Sequence, residues 1–186
     1  PMIETCRAMN DIITQGKVMY WGTSEWEGYQ ILEAYDICRA NGWHLPKTEQ
    51  PQYSMLHRER VEKTVLPVTR SRGVGLVPWS PLAGGMLTGK YDDGIPTDSR
   101  FNREEWAKNR YMNESNIHKV KALKPIADEL GITRGQLALA WCLRESGVSS
   151  VITGATRAEQ VVENVKASDV KLTADVISQI EEILND

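Results

Sequence analysis

Residues 147–165, GVSSVITGATRAEQVVENV, combine the ingredients of an anion site. Strand-forming residues Ser149 to Thr153 run into a small-residue corner, Gly154-Ala155-Thr156-Arg157, and a helical pattern follows at once. A helix starting at such a corner aims free amide groups and its positive dipole end outward, and Arg157 adds a full charge there. A plainer reading stands beside it. Thr156-Arg-Ala-Glu159 has the form of a capping box, in which Thr156 satisfies only its own helix.

Three more segments end in polar residues where a strand pattern stops: Thr23-Ser24, Gln50 and Trp79-Ser80. In parallel α/β folds ligands sit at the carboxyl ends of the strands, so these positions share a face with the 154–157 corner; solvated turns would be polar too. Tyr20, Trp21, Trp26 and Trp79 surround the strand ends, where a nicotinamide or flavin ring could stack or a rim could simply pack. Lys90, Ser99 and Arg100 lie in a long irregular stretch, suited to strapping a phosphate or to plain solvation. Glu49 could reach a ligand, but no paired carboxylates, no Ser/His/Asp or Cys/His arrangement, no P-loop and no GxGxxG fingerprint occurs. The residues offer a place to hold a ligand and no evident catalytic apparatus.

Alternating elements must position these residues. PMIETCRAMNDIITQG begins with a proline suited to a first helical turn, marks one face with Ile3, Cys6, Met9, Ile12 and Ile13, and ends at Gly16. KVMYWGTS reads as a strand, Trp26 to Asn41 as a helix ended by Gly42, and KTEQPQYS as a weaker strand that Pro51 turns into a loop. RERVEKTVLPVTRSRG reads as a helix interrupted or redirected at Pro67, and GVGLVPWSPL as a buried strand with a turn. Ala83 to Asn113 shows little periodicity and is expected to be a long functional loop. Ile117, Val120, Leu123, Ala127 and Leu130 mark the next helix, and Thr133-Arg-Gly-Gln136 caps another. After the 149–153 strand and its helix comes a last one, carrying Val176, Ile177, Ile180, Ile183 and Leu184. The order predicts an α/β fold with parallel strands covered by helices. Four strands are visible, enough for an open sheet and half of what an eightfold barrel needs.

The 186 residues, 41% hydrophobic and 25% charged with a net charge of −3, have ordinary soluble globular composition. The mildly acidic balance gives no reason to expect nucleic acid or an anionic membrane as partner. No apolar run approaches a bilayer span of roughly 20 residues, so a cytoplasmic protein without membrane insertion is expected. Cys6, Cys38 and Cys142 are odd in number and far apart, as reduced buried thiols are, and no metal-ligand spacing appears.

GKVMYWGTSEW, TEQPQYSML, WSPLAGGMLTGKY, GIPTDSRF, QLALAWCLRESGVSSVITGAT and AEQVVENV, in this order, resemble the aldo-keto reductase superfamily. Within it the resemblance is to the branch of voltage-gated potassium channel β subunits and their bacterial relatives, and it runs over essentially the whole chain. The family implies a (β/α) barrel that binds NADPH without a Rossmann fold and reduces aldehydes and ketones. By that resemblance residues 1–186 form a single domain, a half barrel corresponding to strands 5–8. In it 81–114 covers the cofactor and 173–186 is the C-terminal helix.

The resemblance also implies roles. Ser24 and Gln50 would contact the nicotinamide end and Trp79 would stack on its ring. Ser80, Pro81, Leu82 and Gly84 would line the pyrophosphate path. Lys90, Ser99 and Arg100 would strap the pyrophosphate and the adenosine phosphate. Gly154, Thr156, Gln160, Glu163 and Asn164 would hold the adenosine half, with Arg157 supplying a charge that other branches place as a lysine at position 154. Glu25 departs from the pattern, standing where the channel-subunit relatives carry a basic residue. The family's catalytic tyrosine, lysine, aspartate and histidine or asparagine would all lie upstream of Pro1; Lys17, Tyr20, Tyr29 and Tyr53 match other positions. The implied molecule holds NADPH, is inactive alone, and pairs either as a homodimer of half barrels or with a missing N-terminal half. The other reading is a non-catalytic module that binds nucleotide or docks a partner.

Overall fold

The computed structural model describes every residue from Pro1 to Asp186, in two compact units. The first comprises Pro1–Gln52, Arg58–Trp79 and Ser146–Ser150; the second comprises Tyr53–His57, Ser80–Glu145 and Val151–Asp186.

In the first unit, helix α1 (Met2–Thr14) precedes strand β1 (Gly22–Ser24), helix α2 (Gly28–Ala40) and strand β2 (Thr48–Gln50). A π-helical turn at Val61–Val65 runs straight into α3 (Leu66–Arg72), followed by strand β3 (Gly75–Leu76). The strands form a parallel sheet in the order β1-β2-β3, with Thr23 opposite Glu49 and Glu49 opposite Leu76. Parallel neighbours need crossovers, and α2 and the π/α3 helix supply them. Cys6, Trp21, Ala34 and Cys38 form a buried cluster against which Met2, Met9, Ile13, Trp26, Ile37, Trp43 and Leu45 pack. The buried stripe of α1 therefore starts from Met2, while Ile3, expected on it, is exposed.

Several expectations change here. The helix is not interrupted at Pro67. The Leu66 amide donates to the Val61 carbonyl five residues back, and the widened turn places Pro67 in the first turn of α3, where no amide is required. Gly28 lies against this wide turn, and a β-carbon there would overlap the Thr64 carbonyl oxygen. The fourth strand is also shorter than its residues suggested. Ser149 to Thr153 form no ladder; Val148 makes a parallel bridge with Leu76, and within the stretch itself Ile152 alone takes part in a bridge. Leu76 donates to the Gly147 carbonyl and accepts from the Ser149 amide, both at 2.8 Å. β3 offers only two residues to pair with, and Pro78, without an N–H, stops it from lengthening.

In the second unit a 3₁₀ segment (Ala83–Thr88) leads to α4 (Arg100–Arg103), α5 (Glu105–Tyr111), α6 (Glu114–Ala122), α7 (Lys124–Glu129) and α8 (Arg134–Leu143). Then come α9 (Ala158–Val165), a 3₁₀ turn (Lys166–Asp169) and α10 (Ala174–Asn185). A further change falls here, because the stretch expected to be a long loop is largely short helices. Its own aromatic residues organise it: Tyr91 stacks on Phe101 with centroids 4.0 Å apart, and Tyr111 lies 6.3 Å beyond. The helix read through Ile117 to Leu130 is two, divided at Pro125, which sits in the first turn of α7. Helix α8 is buried on all sides from Gly135 to Cys142, apolar except for Gln136 in that run. Its Thr133 cap is as expected: the hydroxyl accepts the Gln136 amide at 3.2 Å, and the Gln136 side chain accepts the Thr133 amide at 3.0 Å.

Cys6, Cys38 and Cys142 are free and buried. No helix is long and apolar enough to cross a membrane.

Candidate functional site

The sheet of the first unit brings Ser24, Gln50 and Trp79 to one end. Ser24 and Gln50 are the last residues of β1 and β2, paired in register, and the Ser24 hydroxyl donates to the Gln50 carbonyl at 3.0 Å. Trp79 continues from β3, bridges to Gln52 in parallel and donates its amide to the Pro51 carbonyl at 3.0 Å. The pleat turns Ser24 and Gln50 outward and their neighbours Thr23 and Glu49 inward. Glu49 therefore does not reach toward a ligand; it is fully buried. It accepts the Thr23 hydroxyl, and the Trp26 amide at 3.2 Å. Burial pushes its carboxyl above the ordinary range, against the opposing pull of those donors, the Glu25 amide and Arg60.

Of the four aromatics expected around the strand ends, Trp79 is at the carboxyl end. Trp21 lies before β1, buried, with its indole on the His44 carbonyl at 2.7 Å. Tyr20 is exposed, and Trp26 packs on the core cluster.

The structure gives a contact network to Glu25, which the sequence marked only as a departure from the channel-subunit pattern. Glu25 adopts a left-handed backbone, φ 60°, uncommon for a residue with a β-carbon. Its carboxylate accepts the Trp79 indole N–H at 2.8 Å, the Arg60 guanidinium at 2.9 Å and the Gln52 backbone amide. Arg60 also donates to the Trp26 carbonyl at 3.1 Å and lies 3.6 Å from Glu27. Nothing local in the sequence signals this cluster, since its members are joined only by the path of the chain.

In the second unit, Ser80, Pro81, Leu82 and Gly84 make a tight turn. Ser80, Ala83, Gly84 and Gly85 all have positive φ, and two of the four carry β-carbons. The Ala83 amide donates to the Ser80 carbonyl and the Gly85 amide to the Leu82 carbonyl, both at 2.9 Å. Gly84 lies against Phe101, where an added β-carbon would be 2.9 Å from the ring. Lys90 is exposed, 5.0 Å above the Tyr91 ring, and lines an open cleft of about 470 Å³ with Gly89, Asp93, Gly94, Ile95 and Pro96. Arg100 pairs with Glu104 at 2.9 Å and stacks on Trp106 at 5.2 Å. Ser99 is buried, and its enclosed hydroxyl has no hydrogen-bond partner.

At the other candidate anion site, Gly154, Thr156 and Arg157 are exposed and Gln160 and Asn164 half-buried. The capping partner is Gln160, not Glu159, because α9 begins one residue later than the box required. Its side-chain oxygen takes the Thr156 amide at 2.8 Å and the Arg157 amide at 3.2 Å, and lies 3.3 Å from the Thr156 hydroxyl. Gly154 has no heavy atom near its missing β-carbon and no positive φ, so neither crowding nor backbone conformation in this chain calls for glycine there. The Glu163 carbonyl accepts from Gln136 at 2.9 Å, tying α9 to α8.

The aldo/keto reductase family model matches residues 1–185. The chain belongs to that family. This aldo/keto reductase chain is 50% identical over 189 aligned residues to an Arabidopsis thaliana protein named "probable voltage-gated potassium channel subunit beta". It is 49% identical over 189 residues to an Oryza sativa subsp. japonica protein of the same name. Both alignments take in 99% of this chain and 58% of the relative, so the chain spans a little over half the length of these relatives.

Proposed function

We propose that these residues are the NADPH-holding part of an aldo-keto reductase, a (β/α) half barrel equivalent to strands 5–8. The observation that carries the reading is the turn at Ser80–Gly85. Four positive-φ residues in six positions, two of them not glycine, is backbone strain of the kind kept where chain and ligand approach closely. Gly154, glycine without an internal reason, supports the same reading at the adenosine end. NADPH, when bound, supplies a hydride for carbonyl reduction. Trp79, Ser24 and Gln50 would face its nicotinamide end and Ser80, Pro81, Leu82 and Gly84 its pyrophosphate. Lys90, Ser99 and Arg100 would strap the phosphates, and Gly154, Thr156, Arg157, Gln160, Glu163 and Asn164 would take the adenosine half.

The proton for the carbonyl oxygen would come from a residue outside this stretch, so the 186 residues alone would not reduce aldehydes. Tyr53 is a poor donor, being fully buried with its hydroxyl 3.4 Å from Arg144. Fluorescence titration with NADPH tests the reading: saturable binding that Trp79→Ala weakens at least about tenfold is expected. No binding at millimolar NADPH, or normal turnover of a generic aldehyde by these residues alone, would overturn it.

The relatives' names favour a second reading, in which a nucleotide-bound module docks a membrane-channel partner. Val161, Val162 and Val165 leave an apolar face of α9 exposed, which a second copy, further chain or such a partner would cover. Sedimentation of these residues alone tests the first option; a monomer at all concentrations counts against the homodimer.

A further inference from the structure

We propose that Glu25 is a positioning residue for Trp79, fixing the plane of the indole at the carboxyl end of the sheet. The inference rests on the cofactor reading above for its consequence, but its geometry stands independently. Three donors converge on one carboxylate: the Trp79 indole N–H at 2.8 Å, the Arg60 guanidinium at 2.9 Å and the Gln52 amide. Two of these partners, Gln52 and Trp79, are themselves bridged across adjacent strand extensions. The carboxylate therefore clamps the indole to the same backbone that carries the ring.

The clamp has a structural cost that points to its use. Glu25 sits at φ 60°, a left-handed conformation that a β-carbon disfavours, and its peptide neighbours Ser24 and Trp26 are held in place around it. With the side chain half-exposed, a solvated glutamate would need no such backbone. Arg60 completes the clamp. It binds the second Glu25 oxygen at 2.9 Å, opposing the charge of that carboxylate beside the ring, while Glu27 at 3.6 Å shares the same guanidinium. An acidic residue at this position thus acts through the ring rather than on the ligand. Fixing the indole in advance removes ordering entropy that a stacked ligand would otherwise have to overcome.

The test uses the full-length protein with its tryptophan indoles labelled with ¹⁵N, Trp79 being assigned by its disappearance in Trp79→Phe. In Glu25→Gln the Trp79 indole N–H is expected to shift and to exchange with solvent at least about tenfold faster, because a charge-assisted bond becomes a neutral one. NADPH dissociation constants are then measured in a double-mutant cycle. Glu25→Gln is expected to weaken binding about tenfold in the wild-type background and to have almost no effect in Trp79→Phe, which keeps a ring but lacks the N–H. Equal weakening in both backgrounds, or an unchanged indole exchange rate, overturns the proposal. If wild type binds no NADPH, the cofactor reading fails, while the exchange measurement still decides whether Glu25 holds the ring. Should Glu25→Gln fold poorly, Arg60→Met provides the second probe. It removes the counter-ion but keeps the indole acceptor, so faster Trp79 exchange is expected there only to a smaller degree; exchange as fast as in Trp79 fully solvated overturns the proposal.

Discussion

Arg134 reaches from the first turn of α8 to Asp92 at 2.7 Å, and both side chains are largely withdrawn from solvent. The same guanidinium donates to the Val120 carbonyl at 3.0 Å and covers Gly89, leaving no room there for a β-carbon. Two residues on, Gln136 holds the Glu163 carbonyl. One turn of α8 thus anchors the segment carrying Lys90 and the helix that follows Gly154.

Replacing Arg134 by Met should leave Asp92, which already has one enclosed oxygen without a partner, as an uncompensated charge. Breaking a mostly buried pair from one side costs about 3–5 kcal/mol. Urea unfolding should show this loss, and Arg134→Lys should recover only part of it, since an ammonium lacks the guanidinium plane that covers Gly89.

Gly28→Ala should destabilise the first unit by about 1–3 kcal/mol, the usual cost of overpacking. The added methyl meets the Thr64 carbonyl oxygen of the π-turn, a backbone atom that cannot rotate away. Helix propensity alone would favour alanine, so a stabilised variant in denaturant melts would contradict the close approach.

Glu49 gives a pH dependence with a definite sign. Burial raises its carboxyl above the ordinary 4.5, so the folded state holds that proton more tightly than the unfolded state. Its contribution favours folding below that ordinary value and is lost as pH rises through the raised one. The stability of Glu49→Gln relative to wild type should therefore improve between about pH 4 and pH 7. A flat difference over that range would show that Glu49 is not desolvated.

Cys38 is pushed up to about 12 by burial, with the neighbouring Cys6 thiol adding to it, and Cys6 is raised by burial as well. Neither offers much thiolate at neutral pH. Ellman's reagent should react slowly with native protein at about pH 8 and promptly with all three cysteines once unfolded, Cys142 being buried too. Fast native reaction of two thiols would mean that α1 opens readily.

Local chemistry was readable in order. Apolar spacing located α1, α2 and α10, Thr133 and Gln136 announced their own cap and with it α8, and Ser24, Gln50 and Trp79 stood at strand ends as the alternation required. Such signals lie within one or two turns of chain, where propensity, capping and periodicity act without help. Tertiary structure decided the rest. Pairing along Gly147–Ser149 depended on how little of β3 was available, and the cap of α9 passed to Gln160 once the helix began one residue later. The wide turn that accommodates Pro67 was set against Gly28, thirty-odd residues away in the chain. The Glu25 clamp is the fullest case. Residues 25, 52, 60 and 79 share no periodicity, and only the folded path that brings three strands side by side brings a carboxylate to an indole N–H.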